Sequence, residues 1–196
     1  MGHPAEKQQR PATYADLAAV PAHLVAEIIQ GVLYTFPRPA TPHSGAATTL
    51  TMDLGSPFQR GRGGPGGWWF HTEPELHLGE DVLVPDLAGW RRERVPQMPS
   101  APFITLAPDW VCEVLSPSTA AHDRIRKMPV YARAGVTWLW LLDALARSLE
   151  VFHLRDRKHF AQEQTFAEGD VVRASPFDAI ELDLTAIWDA IAPEGG

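Results

Sequence analysis

Two carboxylates stand inside apolar, strand-like stretches of the sequence. Asp86 belongs to VLVPDLAGW and Glu113 to WVCEVL, and the alternation of side chains along a strand places both among core-facing neighbours. A buried carboxylate needs a partner, and a divalent metal ion is one. Carboxylates on adjacent strands suit Mg²⁺ or Mn²⁺, for which phosphate and water complete the coordination shell. The alternative is that each carboxylate points to water or pairs with an arginine.

Lys127 is a third candidate because lysine is rare in this chain. The other lysines are Lys7 and Lys158, and arginine supplies most of the positive charge. A catalytic lysine would hold an attacking water or stabilise the charge that develops on phosphorus. The alternative is an ordinary i,i+4 ion pair with Asp123, which contributes about 0.3 kcal/mol.

The elements that must position these residues are predicted from local patterns. Strands are expected in an early hairpin turning at Gly31, in the two stretches that carry Asp86 and Glu113, and in three stretches after residue 137. Helices are expected at residues 43–54, 124–134 and 185–191, and a short one follows a cap at Thr13. For the helix at 124–134 we expect Asp123 as the cap, a kink at Pro129 and an end at Gly135.

Length and composition limit the class of protein. At 196 residues and 45% hydrophobic content, we expect a flexible segment at residues 1–12 followed by a single domain at 13–196. The polar start and the lack of a long apolar run predict a cytoplasmic protein with no membrane span. Cys112 is the one cysteine, which excludes an internal disulfide and a thiolate zinc cluster. A net charge of -7 gives no overall attraction to phosphates, so local arginines would have to meet a nucleic acid.

Several longer stretches resemble a known family. They are VAEIIQGVLYTFPRP, VLVPDLAGW with RRERVP, APDWVCEVLSPSTAAHDRIRK and YARAGVTWLWLLD. Together they resemble the Uma2 group of the PD-(D/E)XK nuclease superfamily over residues 24–188. The resemblance implies an α/β (α+β) fold with a mixed central β-sheet flanked by helices and a restriction-endonuclease-like core. It also implies Mg²⁺-dependent (or Mn²⁺-dependent) hydrolysis of phosphodiester bonds in DNA, and a homodimer.

The resemblance also assigns roles to residues. Asp86 and Glu113 match the acidic metal ligands, and Lys127 matches the family's catalytic lysine. The superfamily pattern has its lysine two residues after the second acid, where this chain has Leu115, so Lys127 must reach in from the following helix. Glu27 matches an acid of the early hairpin and is a further catalytic candidate.

Glu75 and His43 are secondary candidates. Glu75 lies in the strand region before Asp86, where another acid often faces the site, and His43 could contact phosphate or carry a proton. The alternatives are that Glu27 and Glu75 face solvent and that His43 caps a helix.

Other functions compete with that of a nuclease. The string His71-Thr72-Glu73 is reminiscent of zinc deaminases, but that chemistry needs a pair of cysteines that this chain lacks. A non-catalytic module that binds nucleic acid or a protein partner stays open, as does a dormant relative with a weakened site. Mn²⁺ binding that depends on Asp86 and Glu113 separates the catalytic interpretation from both.

Overall fold

The structure is a computed structural model that describes residues 3–4, 10–38 and 41–189. Its strands are β1 (His3–Pro4), β2 (Leu24–Ile29), β3 (Val32–Pro37), β4 (Trp68–Thr72), β5 (Leu76–Leu78), β6 (Asp81–Leu83), β7 (Leu87–Arg91), β8 (Trp110–Leu115), β9 (Trp138–Asp143), β10 (Ser148–Arg155), β11 (His159–Ala167), β12 (Val171–Val172) and β13 (Leu182–Asp183). Its α-helices are α1 (Tyr14–Ala18), α2 (Thr41–Leu54), α3 (Ala120–His122), α4 (Met128–Ala134) and α5 (Leu184–Asp189). Two π-helical turns, Gly55–Gln59 and Asp123–Lys127, continue α2 and α3.

The predicted early hairpin is confirmed as β2 and β3. Ile29 pairs with Val32 across a two-residue turn in which Gln30 has φ 53° and Gly31 has φ 74°. Two successive positive φ values are typical of the turn that matches the twist of a hairpin. Within the described residues this hairpin forms a five-stranded sheet in the order β1-β3-β2-β6-β5.

A second sheet carries the centre of the fold. Within the described residues its strands run in the order β11-β10-β9-β8-β7-β4, and β8 pairs with β9 in parallel while the other pairs are antiparallel. Leu50 of α2 and Trp188 of α5 pack on one face, and Val130 of α4 packs on the other. The predicted mixed sheet with flanking helices is therefore confirmed.

The stretch VLVPDLAGW is not one strand, as the sequence predicts, but two. It divides at Pro85, so that β6 joins the five-stranded sheet and β7 the six-stranded sheet. Proline has no amide hydrogen to donate to a ladder and restricts the residue before it, which explains the break. Asp86 therefore lies on a bend directly before β7 rather than on a strand face.

The helical segment after β8 begins earlier than predicted. It starts at Ala120, so Asp123 is not its cap but lies inside it, in the π-helical turn. The amide of Met128 donates to Asp123 O, and this wider turn ends just before Pro129, which cannot donate a helical hydrogen bond. Gly135 closes α4 with φ 82°, as predicted.

The ends of the chain are described in part. His3–Pro4 pairs with β3, and the amide of Ala12 donates to Gly31 O at 2.7 Å. Residues 1–2 and 5–9 of the segment predicted to be flexible lie outside the described residues, as do residues 190–191 of the predicted last helix. The single domain at 13–196 stays a prediction. None of the helices that the structure describes is long and apolar enough to span a membrane.

Candidate active site

The pairing of β7 with β8 brings Asp86 and Glu113 together. Leu87 pairs with Cys112 in an antiparallel register, so one step further along the two strands Asp86 lies beside Glu113. The amide of Val114 donates to Asp86 Oδ2 at 2.7 Å and fixes that carboxylate against β8. The two acids that the sequence singles out thus share one place, although Asp86 reaches it from a bend.

The π-helical turn places Lys127 in this same place. Its side chain is 5% exposed, and Nζ lies 2.9 Å from Glu113 Oε1 and 3.1 Å from Glu27 Oε1. It also donates to Val84 O at 3.1 Å and lies 3.6 Å from Asp123 Oδ1. Burial lowers the pKa of Lys127, but Glu113 and Glu27 outweigh that effect and raise it well above the ordinary value. The ammonium group is therefore charged and surrounded by acceptors.

Glu113 is buried and tightly held. Tyr131 donates its hydroxyl hydrogen to Glu113 Oε1 at 2.5 Å, and Lys127 donates to Oε2 at 3.0 Å. Burial raises the pKa of Glu113 well above its usual value, and Asp123 and the neighbouring acids add to the rise against the opposing charge of Lys127.

Glu27 approaches the lysine from the other sheet. Its Oε1 accepts from the amide of Val84 at 2.9 Å, and its Oε2 lies 3.0 Å from His122 Nε2. The ring of His122 packs edge-on against Tyr34 and Phe36. Burial works to raise the pKa of Glu27, but Lys127 and the other partners outweigh it and hold the pKa below the ordinary value. Both oxygens of this carboxylate are engaged, so its geometry suits orienting Lys127.

The break at Pro85 frees the backbone groups that these side chains use. Val84 follows β6 without belonging to it, and its amide binds Glu27 while its carbonyl binds Lys127. Backbone groups away from water need such partners. The end of β6 thereby binds both Glu27 and Lys127.

His43 of α2 lies beside Asp86. Its Nε2 is 3.4 Å from Asp86 Oδ2, and both side chains are 15% exposed. Burial lowers the pKa of His43, but the hydrogen bond and charge of Asp86 raise it above the ordinary value overall. The hydrogen bond from Val114 and the contact with His43 both go to Asp86 Oδ2, so neither of them uses the lone pairs of Oδ1.

These residues line a cavity of about 490 Å³. Its acidic lining residues are Glu27, Glu73, Asp86, Glu113 and Asp123, and its cationic ones include Arg38 and Lys127. Glu75 is not among them, because its carboxylate binds the His77 ring at 2.8 Å instead. Sequence reasoning missed His122, Glu73 and Arg38, and read Asp123 as a cap.

The cavity supplies part of the coordination shell that a hard divalent cation needs. Among the described residues, no group of three or more His, Cys, Asp or Glu side chains could hold a metal ion by itself. Mg²⁺ keeps several waters and needs only one or two protein carboxylates, which Asp86 and Glu113 can supply. A carboxylate has about four lone-pair sites, so Glu113 can bind a metal without losing Tyr131. The buried acids also outnumber the lysine, an imbalance that a cation would relieve.

This is an α+β protein in which a mixed sheet has helices on both faces. A lysine lies among buried carboxylates at one end of the central strands of that sheet. Residues 11–186 match the model of the Uma2 family, which is described as "Putative restriction endonuclease". The chain therefore belongs to the Uma2 family.

Comparison with solved structures supports the fold. A crystal structure described as "a putative nuclease belonging to DUF820" from Anabaena variabilis is similar, with a TM-score of 0.75 and 21% sequence identity. The match covers 93% of this chain and 100% of that one. No curated protein sequence matches this chain. At this identity the likeness establishes the fold, and membership of the family is what points to a nuclease.

Proposed function

We propose that this chain is a metal-dependent endonuclease that hydrolyses phosphodiester bonds of DNA. The observation that carries the proposal is the meeting of Asp86, Glu113 and Lys127 in one cavity, from a bend, a strand and a helix. Two carboxylates can hold a metal ion that activates water, and an ammonium group can stabilise the charge that develops on the phosphate. Membership of the Uma2 family supports the same activity.

Asp86 and Glu113 would hold Mg²⁺ or Mn²⁺. When bound, the ion would polarise the phosphodiester and make water a better nucleophile. Lys127 would orient that water and stabilise the negative charge developing on the phosphate oxygens. Glu27 would position Lys127, since its carboxylate contacts the ammonium at 3.1 Å. The amide of Val114 and the ring of His43 would hold Asp86 in place.

The experiment is cleavage of supercoiled and single-stranded DNA with Mg²⁺ or Mn²⁺. The wild type is compared with Asp86→Asn, which keeps the acceptor for Val114 but loses the charge. Asp156→Asn is the matched control, because Asp156 is an exposed acid in the turn between β10 and β11. Cutting by the wild type and the control but not by Asp86→Asn would support the proposal. Equal cutting by Asp86→Asn would remove that residue from the site.

A non-catalytic binding module is the second candidate, and the saturation of Lys127 favours it. In this structure the ammonium contacts Glu27, Glu113, Asp123 and a backbone carbonyl, which is how a purely structural lysine is held. No cutting of DNA by any variant, together with Mn²⁺ affinity that Asp86→Asn leaves unchanged, would favour this module over the enzyme.

The homodimer and the cytoplasmic location stay predictions. The resemblance to the family implies the dimer, and light scattering of the purified chain would measure it. Specificity in such enzymes depends on loops and assembly rather than on the metal motif, so the dimer state bears on which DNA is cut.

A further inference from the structure

Arg38 is the exposed cation of the cavity. It follows β3 directly, its side chain is 58% exposed, and it lines the cavity together with the buried Lys127. Lys127 is surrounded by carboxylates and lies too deep to be the first contact of an incoming anion. A polyanion that approaches a cavity rich in acids needs a cation at its edge. Arg38 is placed to supply that cation.

The contacts of Arg38 with Ala22 use one edge of its guanidinium and leave the rest of that group for another acceptor. Nε and Nη2 donate to the carbonyl of Ala22 at 3.3 and 3.2 Å. Nη1 lies 3.7 Å from Glu73 Oε2, which is beyond hydrogen-bond distance. A long ion pair between two exposed side chains contributes little, so a better acceptor can replace Glu73 without large cost. A phosphate accepts from arginine with two parallel hydrogen bonds and is such an acceptor.

Glu73 is held over the site by its backbone. It has φ 45°, a left-handed conformation that is uncommon for a residue other than glycine, and its amide donates to Asp86 O at 3.0 Å. Its carboxylate is 45% exposed, so burial does not explain the conformation. A backbone hydrogen bond therefore connects Glu73, the partner of Arg38, directly to Asp86, the residue proposed to bind the metal.

We propose that Arg38 binds a phosphate of the DNA strand that is cut, and that Glu73 is the carboxylate this phosphate displaces from Arg38. The inference rests on the proposed nuclease function and adds a substrate-binding residue to it. Before DNA binds, Glu73 neutralises the arginine. When DNA binds, the phosphate replaces Glu73 as the partner of Arg38 and forms the stronger ion pair. Glu73 repels anions that cannot reach Arg38.

The test is the salt dependence of DNA binding in the Asp86→Asn protein, so that the duplex is not cut. Affinity for a fluorescent duplex is measured over a range of salt concentrations, alone and with Arg38→Gln added. For duplex DNA, a protein that binds one phosphate fewer has a slope of log K against log salt that is shallower by about 0.9. Arg38→Gln should make the slope shallower by that amount, whereas Arg38→Lys should keep it. Arg157→Gln is the matched control, since Arg157 is exposed in the β10–β11 turn beyond the other end of the sheet.

Glu73→Gln completes the test as one side of a double-mutant cycle. It should tighten binding when Arg38 is present and do so by less when Arg38→Gln is also present, because part of its effect is the release of Arg38. An unchanged slope in Arg38→Gln, with or without a lower melting temperature, would overturn the proposal and leave Arg38 a structural ligand of Ala22. If the wild type cuts DNA while the slope is unchanged, only this inference fails. If the wild type neither binds nor cuts DNA, the nuclease proposal fails and takes this inference with it.

Discussion

Lys127→Met should destabilise the fold severely, because the ammonium group is the buried cation among several acids. Its side chain is 5% exposed and lies within 3.6 Å of Glu27, Glu113 and Asp123. Removing one partner of a buried charge cluster costs about 3–5 kcal/mol. In a domain of this size each kcal/mol shifts the melting temperature by about 2–4 °C, so a fall of about 6–20 °C is expected.

The cost should depend on how many carboxylates remain. Glu113→Gln removes one negative charge and keeps an acceptor for Tyr131, so by itself it should cost far less than Lys127→Met. In the Glu113→Gln background, Lys127→Met leaves fewer unpaired charges, and its cost should shrink by about 1–3 kcal/mol. The melting temperatures of the four proteins form the cycle that measures this coupling.

The assay is thermal and urea unfolding in EDTA, because a metal ion could take the place of the missing ammonium. Lys158→Met is the matched control, since Lys158 is the other described lysine and is exposed. That control should change stability by no more than about 0.5 kcal/mol. If Lys127→Met melts at the temperature of Lys158→Met, the view that this ammonium balances the buried acids is refuted.

Three further predictions concern metal binding, the hydroxyl group of Tyr131 and the pH dependence of stability. Mn²⁺ should raise the melting temperature of the wild type and not that of Asp86→Asn, and equal shifts would place the ion elsewhere. Tyr131→Phe should cost about 1–3 kcal/mol in urea unfolding, because it removes the donor that Glu113 Oε1 accepts from at 2.5 Å. The side-chain hydrogen bond from Arg10 is the main cause that holds the pKa of Asp16 well below its ordinary value. A lowered folded pKa means that this stabilisation is present above the unfolded pKa and lost as the pH falls through the folded pKa, so Asp16→Asn should lower the melting temperature at neutral pH but not in strong acid.

Local patterns predicted the parts of the fold that local chemistry decides. The turn at Gly31 and the end of α4 at Gly135 both need positive φ values, which glycine adopts without strain. Both positions can therefore be recognised from the sequence. The apolar run of β8 is buried along its whole length, as its composition indicates. These features depend on residues a few positions apart, which is the range over which sequence patterns carry information.

The missed features depend on contacts between distant parts of the chain. His122 binds Glu27 across 95 positions, and no local pattern relates the two. Asp123 and Lys127 have the i,i+4 spacing of a surface ion pair, yet their side chains are only 6% and 5% exposed. The spacing indicated the pair only as an alternative to a catalytic role, and only the packing of the helix against both sheets decides that the pair is buried. The residues of the metal site stay predictions that mutagenesis must test.

The strand break at Pro85 explains how Lys127, which lies on the helix after β8, reaches Glu113. Leu115, two residues after Glu113, is 3% exposed and packs in the core between the sheet and α4. A lysine there would bury its charge among apolar side chains. Because β6 ends before Pro85, the backbone of Val84 is free to bind Glu27 and Lys127 at once. The carbonyl of Val84 accepts a hydrogen bond from Lys127 and holds its ammonium group beside Glu113. A substitution that restores a continuous strand at residue 85 should therefore displace the Lys127 side chain, although Lys127 itself is unchanged.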